Sequence, residues 1–119
     1  LRRTVRHGNG WYPVGRNPDF PLDTLARYRD AAAQLHAEAE RNGRDPASID
    51  LAYWAMWNHE ESQAGPSRQL FTGGTNAVLD DLGELERLGL KHCVFNLLRP
   101  SAEASIDAMS AFAEKVIAA

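Results

Sequence analysis

Apolar residues along this chain fall into three repeats of one pattern: a short run of strand-forming residues, a loop of turn residues, and a segment with apolar positions at helical spacing. Gly10 to Val14 is an aromatic and β-branched run between glycines and predicts a strand over 10–14. The loop Gly15-Arg16-Asn17-Pro18-Asp19-Phe20-Pro21 follows. Leu25, Tyr28, Ala32, Leu35 and Ala39 then predict a helix over 22–42, with Asp23 suited to its positive start and Gly43 to the position just past its end.

The second unit opens with "IDLAYWAMW", which predicts a strand over 49–57, and after a loop Val78, Leu82 and Leu85, flanked by Leu79 and Leu88, predict a helix over 76–88. The third is "KHCVFNL", a strand over 91–97, followed by Ser101 as N-cap and a helix over 102–118 with Ile106, Met109, Ala113 and Val116 on one face. Strand starts about 40 residues apart match βαβ crossovers, and near-continuous apolar strands suit a parallel sheet covered on both faces. The expected class is α/β, one unit over 1–119. Three such strands leave two apolar edges, which invite pairing with other chains. Leu1, Val5 and the nearby arginines look like the end of a helix over 1–7 that begins upstream. The expectation is a portion of a larger domain, paired with its missing N-terminal part or with copies of itself.

Composition narrows the partners. An apolar content of 44% with 24% charged residues is ordinary for a globular protein. Thirteen basic against sixteen acidic residues give a net charge of -3, which argues against nucleic acid and anionic membrane surfaces. No run approaches the roughly 20 apolar residues of a membrane span, and no apolar segment follows the first arginines as in a secretory signal. A single cysteine, Cys93, excludes an intrachain disulfide framework and agrees with a cytoplasmic location. Its apolar neighbours point to packing rather than reactivity.

Four stretches carry a family resemblance. "LRRTVRHGNGWYPVG" resembles a segment of the luciferase-like monooxygenases, oxidoreductases that use FMN or coenzyme F420; Asn9 stands where that family commonly has Asp. "RNGRDPASIDL" (Arg41 to Leu51) is similar to the family's helix end, turn and following strand, and "VLDDLGELERLGLKHCVF" (Val78 to Phe95) resembles its late helix, glycine and strand. "AMSAFAEKVIA" resembles its final helix. The resemblance implies the C-terminal part of a (β/α)₈ barrel, about three of eight units, with Gly10 to Val14 as the sixth strand. It also implies an oxidoreductase or monooxygenase acting on a small organic molecule with FMN or coenzyme F420, the second favoured by the GRDP and GxGWYP pattern.

In a barrel the chemistry sits at the C-terminal strand ends, here Tyr12 to Arg16, Trp57 to Glu61 and Asn96 to Arg99. Trp11 and Tyr12 are candidates to wall a planar ring system, with Gly10 beside them; strand alternation lets only one of the pair point inward, and the other packs as core. His59 with Glu60 or Glu61 suits proton donation and acceptance, or is a solvated loop; no second ligand pattern accompanies it, so no metal is expected. "FTGGT" (Phe71 to Thr75) is either a structural cap or a phosphate turn at a helix start. Arg16, Arg68, Asn96 and Arg99 are candidates to hold an anionic substrate or cofactor tail; an exposed arginine with no task is the competing account. A catalytically silent chain, or a small α/β module that self-associates, is the alternative function.

Overall fold

The computed structural model describes residues 1–56 and 68–118. A short helix α1 (Arg2–His7) leads into strand β1 (Gly10–Trp11), and helix α2 (Leu25–Arg41) and a 3₁₀ turn (Pro46–Ser48) lead into β2 (Asp50–Met56). Helix α3 (Thr75–Arg87), β3 (Leu90–Asn96) and helix α4 (Ala102–Phe112) follow, the last continuing as a π-turn over Ala113–Ile117. The strands form one parallel sheet in the order β1-β2-β3. No described helix is long and apolar enough to cross a membrane.

Local chemistry explains the element ends. The Thr24 side chain accepts the Arg27 N–H at 3.2 Å to start α2, and the Ser101 side chain accepts the Ala104 N–H at 3.1 Å to start α4. Past α2, Gly43 takes φ +69, a backbone state that a side chain would strain. Arg44 then reaches back to the carbonyls of Thr4 (3.4 Å) and Val5 (2.9 Å), while the Asp45 carboxylate caps the 3₁₀ turn through the Ala47 N–H. The "GRDP" turn therefore ties the end of α1 to the start of β2.

Burial runs along one face of the sheet. Tyr28, Ala32, Leu35 and Ala39, the predicted stripe of α2, are buried against Leu51, Tyr53 and Ala55 of β2. Six rings join end to end through this layer: Trp11 stacks on Tyr28 (centroids 5.4 Å apart), Tyr28 meets Tyr53 edge-on (5.3 Å), and contacts continue through Phe71 and Phe95 to Phe112. Cys93 lies on the same face beside Tyr53.

β1 is shorter than its pattern predicts, and Pro13 is the reason. Asn9 and Pro13 accept the N–H groups of Asp50 (2.9 Å) and Trp54 (3.1 Å), and the Gly15 N–H donates to the Trp54 carbonyl (3.2 Å). In that alternation residue 13 owes an N–H to the Ala52 carbonyl, and proline has none. The Tyr28 hydroxyl replaces it, donating to Ala52 O at 3.2 Å from within the core. The pairing then resumes as an isolated bridge between Val14 and Trp54. Next along, a Cβ at Gly15 would stand 1.9 Å from the Tyr53 hydroxyl, which donates to the Leu22 carbonyl at 2.8 Å; only glycine fits there.

Helix α4 departs from expectation. Ala108, Phe112 and Val116 face the core, whereas Ile106 and Met109, predicted to line the buried face with Ala113 and Val116, are 58% and 50% exposed. The helix is apolar on more than one side, so spacing alone does not select the buried one, and the π-turn shifts the phase of its last residues.

Two predictions test this packing. Tyr28→Phe leaves the Ala52 carbonyl unpaired and is expected to cost about 1–3 kcal/mol in denaturant unfolding, and less in a Pro13→Ala background, where the backbone supplies the missing donor. Burial pushes the Cys93 thiol from 9.0 up to about 12, so the folded chain keeps it neutral where the unfolded chain ionises. Stability is therefore retained below pH 9.0 and falls as pH rises toward about 12. Tyr28 and Tyr53, also raised by burial, act in the same direction at higher pH. Cys93→Ala is expected to flatten the first part of that decline when unfolding free energy is measured against pH.

Candidate functional site

Among the described residues no helix packs against the opposite face of the sheet. Partners across a parallel ladder share a face, so the pairs Gly10↔Asp50, Val14↔Trp54, Ala52↔His92, Trp54↔Val94 and Met56↔Asn96 define its rows. From the N-terminal to the C-terminal end of the strands the rows read Gly10 and Asp50; Tyr12, Ala52 and His92; Val14, Trp54 and Val94; then Met56 and Asn96 with Arg16 just beyond the end of β1. Tyr12, Val14 and Val94 are 53%, 47% and 45% exposed. A small recess of about 10 Å³ lies where β1 and β2 end, lined on one side by Arg16, Trp54 and Met56 and on the other by Asp23, Tyr53 and Gln69.

Side chains at the strand ends make a polar rim. Arg16 Nη2 donates to Gln69 Oε1 at 2.9 Å, and Gln69 Nε2 donates to the Asp23 carboxylate at 3.2 Å. Asn96 Oδ1 accepts the Leu98 N–H at 2.9 Å, closing a turn at the end of β3. Arg99 donates through its backbone N–H to Ser105 Oγ at 2.9 Å and through Nη1 to the Leu98 carbonyl at 3.0 Å. At the other end of the strands Lys91 Nζ lies 2.5 Å from Asp50 Oδ1 and holds that carboxyl below the usual range.

The structure separates the residues that sequence grouped. Tyr12 stands on the open face, while Trp11, 9% exposed, is core against Tyr28. Gly10 lies in the row farthest from the strand ends. Arg16 lies past the end of β1, and Asn96 and Arg99 at and past the end of β3, on opposite edges of the sheet with β2 between them. Arg68 is turned to another use: it forms a two-pronged ion pair with Asp81 of α3, Nη1 meeting Oδ2 at 2.9 Å and Nη2 meeting Oδ1, and Nη1 also donates to the Thr72 carbonyl at 2.8 Å. His59 and Glu60 lie outside the described residues. Among the described residues no group of three or more His, Cys, Asp or Glu is placed to hold a metal ion.

Asp81 organises the "FTGGT" turn as well. Its Oδ2 accepts the Phe71 N–H at 2.8 Å, holding Phe71 at φ 63, where a non-glycine residue is strained, with its ring wholly buried. Gly73 at φ +92 then turns the chain into α3. The turn is accordingly built around a buried carboxylate. Sequence offered a faint signal for this: Asp81 falls between Val78 and Leu85 on the apolar stripe of its helix.

The sequence matches no protein-family profile and no curated protein. In three dimensions the chain is similar to the coenzyme F420 dependent tetrahydromethanopterin reductase from Methanopyrus kandleri, with a TM-score of 0.59 at 14% identity. The likeness covers 98% of this chain and 47% of that one, so the chain spans about half the reductase's length. At that identity the likeness is one of fold: an α/β arrangement built on a parallel sheet.

Asp81→Ala strips Arg68 of its partner and frees the Phe71 N–H. Because the Arg68 side chain keeps 21% exposure, water softens the loss. The expected cost is about 2–3 kcal/mol in chemical denaturation, with Asp81→Asn intermediate.

Proposed function

We propose that this chain contributes the late strands and helices of a luciferase-like oxidoreductase that works with coenzyme F420. The observation that carries the proposal is the fold likeness to an F420-dependent reductase over nearly the whole chain, joined to three parallel strands whose C-terminal ends are followed or closed by Arg16, Asn96 and Arg99. The motif resemblance of "GNGWYPVG" and "GRDP" supports the same family. FMN is the second candidate, on that resemblance alone.

The residues present fit a deazaflavin or flavin ring. An apolar floor of Val14, Trp54, Met56 and Val94 suits a planar heterocycle, and the cations and amide at the rim suit its polar edge and anionic tail. When bound, such a cofactor supplies hydride transfer to or from a small organic molecule. The chain's own part is to orient the ring against the sheet, exclude water from its face, and fix the tail through Arg16 and Arg99. His59 and Glu60, on the segment that follows β2, are proposed to donate and accept the accompanying proton. The edges of β1 and β3, which pair with no further strand among the described residues, are proposed to be covered by further βα units of a barrel, or by copies of the chain.

Calorimetric titration of the 119-residue chain, its mass and oligomeric state already measured, tests this. Micromolar binding of F420, with FMN at least about tenfold weaker, is the expected result. Absence of heat and of complex with either cofactor would leave the silent-chain account standing instead.

A further inference from the structure

The aromatic residues of this chain divide into two sets. Trp11, Tyr28, Tyr53, Phe71, Phe95 and Phe112 form the continuous line of ring contacts between sheet and helices. Trp54 takes no part in it. Although central in β2, it points away from the helices, between Val14 and Val94 on the neighbouring strands. Among the described residues its ring stacks on no other ring and its indole N–H meets no acceptor. A half-buried tryptophan with a spare face and a spare donor is an ordinary component of a ligand site and an unusual one of a finished core.

We propose that Trp54 is the stacking floor for the planar ring of the ligand, with Val14 and Val94 as its flanks and Tyr12 one row deeper. The inference rests on the cofactor proposal above and adds to it the residue that recognises the ring. Three strands spaced about 4.8 Å apart make the Val14–Trp54–Val94 row about 10 Å wide, which suits a heterocycle of two or three fused rings rather than an aliphatic chain. The row sits directly beneath the rim, so a ring lying on Trp54 extends its polar substituents toward Asn96 and Arg16. Trp54 also borders the small recess at the ends of β1 and β2, beside Arg16 and Gln69. The exposed apolar side chains thus have one occupant in common, a flat heteroaromatic ring bearing an anionic chain.

The test uses three probes on the full chain: F420, FMN, and lumiflavin, which carries the flavin ring without a phosphate tail. Each is titrated while tryptophan emission and affinity are followed. Trp54→Leu, which keeps the site apolar but removes the aromatic face, is expected to weaken ring binding by about tenfold, and Trp54→Phe by about threefold. Tyr12→Leu should have a smaller effect. If the leucine variant loses its far-UV circular dichroism signal, the phenylalanine variant decides. Unchanged affinity in the folded Trp54 variants overturns the inference and leaves the cofactor proposal intact. Lumiflavin binding that depends on Trp54, without binding of F420 or FMN, does the reverse. Failure of all three probes overturns both, as does tryptophan emission that follows protein concentration and ignores every probe, which would mark the face as a contact between copies.

Discussion

The position of Tyr28 is the constraint on which most of this fold depends. Its ring is the second in the line that joins β1 to α4, and its hydroxyl makes good the backbone bond that Pro13 cannot make. A helix side chain thus performs a strand's task. Because the hydroxyl must reach one particular carbonyl, α2 is held at a fixed height over β2, and the register of β1 is held with it. The rings beyond follow: Tyr53 meets Tyr28 edge-on and reaches Leu22, which anchors the loop between β1 and α2. A burial term without direction would tolerate sliding; a hydrogen bond inside it does not.

That constraint also creates the open face. By drawing Trp11, Tyr53, Cys93 and Phe95 to the helical side, the register sends Tyr12, Trp54, His92 and Val94 to the other. Core and candidate site are two sides of one alternation. The carboxylate of Asp81 does comparable work at the sheet's upper end, where it holds Arg68 and the strained Phe71 and so determines how the chain enters α3. Arg68 was attractive as a ligand arginine because only its type and approximate place were visible in the sequence.

Much of the architecture is legible in the chain itself, for definite reasons. Helix α2 carries a single apolar stripe against polar neighbours, so its length and buried side follow from spacing. The three strands announce themselves by apolar runs at crossover distance, and their parallel order agrees with that reading. What escapes is whatever depends on phase between elements. Trp11 and Tyr12 are adjacent, and only their register against β2 tells which enters the core. Trp54 is hidden because β2 is apolar at nearly every position, so its sequence does not tell which residues turn to the helices. Helix α4 misleads because a π-turn and a second apolar side blur its period. Asp81 is nearly invisible, since a buried charge is recognisable only once its partner is in place.

The contact between Gly15 and the Tyr53 hydroxyl has a consequence for how such a sequence can change over time. Any side chain at position 15 must displace not only that hydroxyl but the edge of the ring that carries it, since the Tyr53 Cζ would stand 2.6 Å from the new Cβ. The two positions, 38 apart in number, form one unit of inheritance. Even phenylalanine at 53 keeps its ring carbon Cζ, 2.6 Å from where a Cβ at 15 would stand, so glycine at 15 is the companion that either ring at 53 requires.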